Sequence, residues 1–185
     1  AHPAVRATFD EASDLLSQDL WALVTTGPEA DLNQTVNTQP VMLTAGVAVW
    51  RAWQTAGGPL PEIVAGHSLG EYTALVAADA LAFRDALPLV RFRAQAMQDA
   101  VAPGVGAMAA ILGLDAAAVT AACAEAAAQS ASAEVVEPVN FNAPEQIVIA
   151  GHRAAVERAI AVATAKGAKR GVLLPVSAPF HSSLL

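Results

Sequence analysis

Hydrophobic and polar positions along the 185-residue chain follow two regimes, which change over near residue 103. In the first hundred residues the apolar side chains recur at helical spacing, predicting helices over residues 3–17, 40–56, 69–78 and 84–101. Gln39-Pro40 reads as the start of the second helix, with Pro40 at its first position, and Gly57-Gly58-Pro59 reads as its stop. Between the second and third helices, Ile63-Val64-Ala65 is an unbroken apolar run, the pattern of a short strand buried in a parallel sheet. One strand makes no sheet, so this reading requires partners elsewhere.

Beyond Pro103-Gly104-Val105-Gly106 the pattern alternates. Apolar residues 107–112 are followed by helix-compatible 115–128, strand-like 135–141 and 146–150, helix-compatible 153–165 and apolar 171–176. Asn142-Ala143-Pro144-Glu145 supplies the turn inside the middle pair, so the order strand, helix, strand, strand, helix, strand predicts a ferredoxin-like unit. The expected fold class is α/β: an α/β-hydrolase-like core over residues 1–105 and 177–185, with a ferredoxin-like subdomain inserted over residues 106–176. The chain opens at Ala1-His2-Pro3 without a methionine and stops at Leu185, so both ends read as truncated.

Composition narrows the function classes. With 55% hydrophobic and 15% charged residues the chain has ample core for a globular protein. Its longest apolar runs, such as residues 41–50 with Thr44 inside, are too short for a membrane span, and no basic segment opens the chain, so a cytoplasmic location without membrane partners is expected. A formal charge of −7 argues against non-specific nucleic-acid binding, which needs a basic surface. Cys123, the single cysteine, falls in the alanine-rich helix 115–128 and is expected as a small buried apolar group. Neither a metal-ligand spacing nor a glycine-rich phosphate loop followed by lysine is present, which predicts no metal and no bound cofactor.

Candidate chemistry centres on Gly66-His67-Ser68-Leu69-Gly70, a serine between an apolar run and a helix-compatible segment. Small residues on both sides permit a sharp turn that exposes the hydroxyl, and a helix N-terminus behind it favours developing negative charge. Ser68 is therefore a candidate nucleophile, with a merely structural turn as the competing reading. Among four histidines, His2 is near the chain end, His67 points away from its neighbour Ser68, and His152 opens a helix. His181, in the proline-rich loop Ser177-Ala178-Pro179-Phe180-His181-Ser182, is left as the favoured base, an ordinary loop histidine being the alternative. On the helix 84–101, Arg91 shares a face with Arg84, Gln95 and Gln98, whereas Arg93 falls in an apolar arc among Leu89, Val90, Ala96 and Met97. A partly buried guanidinium calls for an acidic partner or a carboxylate ligand, so Arg93 is either half of a structural salt bridge or a bidentate clamp.

Gly66-His67-Ser68-Leu69-Gly70-Glu71-Tyr72, the Arg93 helix, Pro138-Val139-Asn140-Phe141-Asn142-Ala143-Pro144 and Pro179-Phe180-His181-Ser182 occur together in one chain. In that combination the sequence resembles, from end to end, the bacterial malonyl-CoA:acyl-carrier-protein transacylases of the acyltransferase family. The resemblance implies that Ser68 is the acylated nucleophile, His181 its base and Arg93 the holder of the malonyl carboxylate. It further implies that the Leu69 N–H forms half of an oxyanion hole and that Gln39 and Asn142 line the same pocket. Leu69 and Phe180 match malonyl-selective members. The implied activity is ping-pong transfer of malonyl from coenzyme A to the phosphopantetheine thiol of acyl carrier protein in fatty acid biosynthesis. Two family segments, an early Gly-Gln-Gly-Ser-Gln stretch that completes the oxyanion hole and a C-terminal stretch that orients the histidine, have no counterpart in the 185 residues. The loss of one oxyanion donor typically raises the barrier by about 3 to 4 kcal/mol.

Three readings compete with that one. A serine hydrolase or thioesterase would use Asp115, Glu137 or Glu145, all between Ser68 and His181, as a third triad member. A polyketide synthase acyltransferase domain shares the chemistry, and a non-enzymatic docking module shares only the fold. For an acidic carrier protein the candidate docking cluster is Lys166, Lys169 and Arg170, whose alternative role is to favour a helix C-terminus.

Overall fold

In the computed structural model, residues 2–176 and 178–185 are described. They form two units, Ala1–Ala96 and Met97–Leu185.

The first unit is helical. Helix α1 (Pro3–Leu16) begins at Pro3 because His2 caps it, Nδ1 accepting the Ala4 N–H at 3.3 Å, and it ends at Ser17 in the left-handed region. Two short helices outside the four expected follow: α2 (Leu20–Thr26), capped by the Asp19 carboxylate on the Ala22 N–H, and α3 (Glu29–Leu32). Helix α4 (Thr35–Thr55) starts five residues before Pro40, so Pro40 lies inside the helix rather than at its head. Side chains wire that early start to α3: Asn37 donates to the Asp31 carbonyl at 2.9 Å and Thr38 to the Leu32 carbonyl at 2.6 Å. A proline this near a helix start removes only one ladder bond, so the polar anchoring overrides it. Helices α5 (Gly70–Ala77) and α6 (Phe83–Asp99) complete the unit. Its core joins Phe9, Ala12, Leu20, Leu43, Val47, Leu87 and Val90 from α1, α2, α4 and α6.

Residues 63–65 do not form the expected strand. They carry no regular secondary structure and face solvent, with Ile63 85% exposed. The physical reason is the absence of a ladder partner: no strand is assigned among the described residues of the first unit. Beside this segment lies an apolar groove of about 1000 Å³ whose walls include Met42, Val49, Trp50, Trp53 and Val64.

The second unit carries β1 (Gly106–Leu112), α7 (Ala116–Ala128), β2 (Val136–Ala143), β3 (Gln146–His152), α8 (Arg153–Ala165) and β4 (Arg170–Leu173). All pairings are antiparallel and the sheet order is β2-β3-β1-β4. Strand alternation divides the faces: Ala107, Ala109, Ile111, Ile147 and Ile149 pack with Val119, Ala122, Cys123, Val156 and Ala159 of the helices. Met108, Val148 and Ala150 turn to the opposite face, beside Val139, Leu174, Val176 and Phe180. His152 caps no N–H of α8; its Nδ1 accepts the Val135 N–H at 2.9 Å and ties the start of β2 to the end of β3.

Candidate functional site

Ser68 sits where the chain turns into α5, with φ at 51°, in the left-handed region that few non-glycine residues adopt. The turn closes through Gly70 N–H to the His67 carbonyl (2.9 Å), Glu71 N–H to the Ser68 carbonyl (3.2 Å) and Tyr72 N–H to the Leu69 carbonyl (3.1 Å). Gly66 is required by proximity, because a Cβ there would lie 1.9 Å from the Gly70 carbonyl carbon and 2.2 Å from the Glu71 nitrogen. Gly70 is not: a Cβ there would meet nothing within 4 Å among the described residues. Leu69, half-buried, occupies the N-cap position of α5, and no acceptor for its N–H is assigned among the described residues. A helix N-terminus with an uncommitted N–H favours negative charge.

Arg93 on α6 reaches Ser68, its Nη2 donating to Ser68 Oγ at 3.1 Å. Its Nη1 donates to Gln39 Oε1, from a buried side chain on α4, and its guanidinium carbon lies 5.8 Å from the centroid of the Tyr72 ring. The sequence argument left Arg93 as half of a structural salt bridge or a clamp for a substrate carboxylate, and the first of these calls for an acidic protein partner. Its partners among the described residues are instead neutral, an amide, a hydroxyl and a ring, and none of the assigned ion pairs includes it. Four of the six expected site residues, Ser68, Leu69, Gln39 and Arg93, therefore lie in the first unit, and Arg93 directly joins three elements there.

Arg91, expected on the polar face, is also half-buried. Its Nη2 donates to Gln18 Oε1, its Nε is buried without a partner among the described residues, and burial holds its guanidinium below the usual arginine range. Gln18 in turn donates to Asn37 at 3.0 Å, which fastens α6 to the start of α4. Sequence reasoning gave no role to Gln18 or Tyr72. The signal for Tyr72 was available: it lies in the first turn of the helix that follows Ser68, four residues on in sequence.

His181 and Asn142 lie in the second unit. His181 is exposed, with φ at 66°, in a turn closed by the Ser182 N–H and hydroxyl on the Pro179 carbonyl, the latter at 2.8 Å. The loop is fastened at two further points: the Ser183 N–H donates to the Glu137 carboxylate at 2.8 Å, and Pro179 packs so closely on Gly106 that a Cβ there would come within 2.4 Å. Ser177 lies outside the described residues. Asn142 is exposed at a register irregularity of β2 between Phe141 and Ala143, and such a bulge re-aims a side chain.

Other candidates have structural partners. Asp115 caps α7 through the Ala118 N–H at 2.8 Å, Glu145 pairs with Lys169 at 3.6 Å, and Lys166 pairs with Glu125 at 3.0 Å. Two of the three cations in the expected docking cluster are thus partly neutralised. Cys123 is buried, and burial, reinforced by the charge of Glu137, pushes its thiol up to about 12. No group of three or more potential metal ligands occurs among the described residues, and no helix there is long and apolar enough to cross a membrane.

Helices and an antiparallel four-stranded sheet, with a serine at a left-handed turn before a helix and a cation on its hydroxyl, define an α/β protein with a cation-contacted serine turn. The chain belongs to the acyl transferase domain family, whose model matches residues 1–185. It is 55% identical over 184 residues to the malonyl CoA-acyl carrier protein transacylase of Salmonella typhimurium, covering 100% of this chain and 58% of that protein. The Bacillus subtilis protein of the same name is 45% identical over 183 residues, 99% of this chain and 56% of that one. Among solved structures, an acyl-carrier-protein S-malonyltransferase from Burkholderia pseudomallei is 68% identical with a TM-score of 0.93, over 98% of this chain and 58% of that one. A type II PKS acyl-carrier protein in complex with its malonyl-transacylase gives 53% identity and a TM-score of 0.94, again over 98% and 58%. The chain thus spans somewhat over half the length of these relatives.

Proposed function

We propose that this chain carries the nucleophile and the carboxylate clamp of a malonyl-CoA:acyl-carrier-protein transacylase acting in fatty acid biosynthesis. The observation that carries the proposal is the guanidinium of Arg93 on the hydroxyl of Ser68, held by an amide, a hydroxyl and an aromatic ring among the described residues. A cation with no acidic partner among the described residues, beside a serine at a strained turn, suits a substrate with a carboxylate at one end and an electrophilic carbonyl at the other. Malonyl-CoA is such a molecule, and the names of the relatives agree with it.

In this scheme His181, the base by family resemblance, takes the Ser68 proton, and Oγ attacks the thioester carbon. The Leu69 N–H receives the oxyanion together with a second donor. The carbon–sulfur bond breaks, the proton passes to the coenzyme A sulfur, and malonyl remains as an ester on Ser68. The phosphopantetheine thiol of acyl carrier protein, deprotonated by His181, then attacks the ester and regenerates the serine. Gln39 acts here through Arg93 and Asn142 as a pocket wall. No resident cofactor takes part.

The same reading divides the chain into a hydrolase-like core, residues 1–105 and 177–185, and a ferredoxin-like subdomain, residues 106–176. The order β2-β3-β1-β4, with helices packed on one face, supports the second assignment. Transfer is favoured over hydrolysis because Asp115, Glu137 and Glu145, the carboxylates available to a hydrolase triad, already cap a helix, anchor a loop and pair with a lysine.

Intact mass after brief exposure to malonyl-CoA tests the proposal. A malonyl adduct mapping to Ser68, absent from Ser68→Ala, is expected in the natural full-length polypeptide; an undiminished adduct on Ser68→Ala would overturn the assignment.

A further inference from the structure

We infer that Tyr72 is the positioning residue that sets the preference for a carboxylate-bearing acyl group, by holding the Arg93 guanidinium without cancelling its charge. The inference rests on the acyl-transfer reading above and assigns a role to a side chain to which that reading gives none.

Among the described residues three groups hold Arg93: Gln39 on Nη1, the Ser68 hydroxyl on Nη2 and the Tyr72 ring at 5.8 Å from the guanidinium carbon. They differ in what happens when a carboxylate arrives. A bidentate carboxylate needs two parallel N–H donors, and of the five on the guanidinium the amide and the hydroxyl take one each on Nη1 and Nη2, so a carboxylate pairing with those nitrogens pulls on the geometry of both bonds. The ring attracts the cation through its π face and occupies no N–H, so its hold persists while the hydrogen bonds are re-aimed. The ring also comes from the helix that Ser68 precedes, one turn further along, so nucleophile and guanidinium are referenced to the same rigid element. An acidic residue in place of Tyr72 would hold Arg93 more strongly but neutralise it, leaving nothing for a substrate carboxylate. A neutral aromatic face is the partner that orients a cation and leaves its charge available.

The test is a fluorinated phenylalanine series at position 72 in the natural full-length polypeptide. Successive ring fluorines draw density from the π face with little change in shape. Malonyl-CoA and acetyl-CoA compete for Ser68, and the initial labelling ratio is read beside KM and kcat. Tyr72→Phe should keep the wild-type ratio. Increasing fluorination should lower it progressively, towards the 5- to 30-fold loss expected when a cation–π contact is removed, as in Tyr72→Leu. The change should fall on KM for malonyl-CoA, with acetyl labelling unaltered. A ratio that stays flat across the series while Arg93→Ala still loses preference would overturn the role of Tyr72 alone. Equal loss of both substrates would also overturn it, marking the ring as packing only. Unchanged preference in Arg93→Ala would instead overturn the clamp and this inference with it.

Discussion

The two glycines that bracket Ser68 look equivalent in sequence, but the structure predicts opposite outcomes when each becomes alanine. At Gly66 the new Cβ would stand 1.9 Å from the Gly70 carbonyl carbon, 2.0 Å from its oxygen and 2.2 Å from the Glu71 nitrogen. All three are backbone atoms at the first turn of α5, so no side chain can swing aside. Relief requires the turn and the helix start to separate by more than 1 Å at ordinary contact distances of about 3.5 Å. Overpacking of this kind costs about 1 to 3 kcal/mol, at the upper end where the obstacle is backbone. At Gly70 the Cβ would meet nothing within 4 Å among the described residues, and Gly70 is not among the glycines with positive φ. Alanine there should be stabilising by about 0.4 to 1 kcal/mol, through a smaller entropy loss on folding. Urea denaturation of the 185-residue chain should therefore move the midpoint down for Gly66→Ala and slightly up for Gly70→Ala, with unchanged slopes. In the natural full-length polypeptide, Gly66→Ala should also slow Ser68 malonylation, since the turn that presents the hydroxyl must open. Equal shifts for the two variants, or full labelling in Gly66→Ala, would refute the reasoning.

Arg93→Ala should reduce malonyl labelling of Ser68 about 10- to 100-fold and relax discrimination against acetyl-CoA, because a charge-assisted bidentate pair is lost; competition kinetics measure this directly. Cys123 makes stability depend on alkaline pH. Its thiol pKa is raised from 9.0 to about 12 in the folded state, so between those values the unfolded chain sheds the proton while the folded chain keeps it, and stability falls as pH rises above 9. Cys123→Ala should lose that part of the slope in urea titrations at pH 8 and 10.5, and the native thiol should resist alkylation that proceeds readily in denaturant.

The legible parts of this chain were those whose signals lie within a few residues of one another. Helix α1 starts at Pro3, α7 follows the capping Asp115, and the strand pattern after residue 103 became a four-stranded sheet with boundaries close to those expected. Helix α2 was missed although Asp19, the spacing of Leu20 and Leu23, and Gly27-Pro28 marked it locally. The turn at Ser68 was legible as a turn, because small residues between an apolar run and a helix are a local pattern. What the tertiary structure alone decided lies between residues far apart. Pro40 predicted a helix start, yet contacts from Asn37 and Thr38 back to α3 began α4 earlier. Apolar content made residues 63–65 look like a strand, but a strand exists only with a ladder partner, and none is assigned among the described residues of that unit. The partners of Arg93 stand 54 residues away at Gln39 and 25 away at Ser68, and the Arg91 to Gln18 contact spans 73. Periodicity could say that a guanidinium was partly buried. Whether the group facing it was a carboxylate, an amide or a ring depended on how separate helices pack, because a buried charge accepts any arrangement that satisfies its donors and local sequence does not record which one the fold supplies.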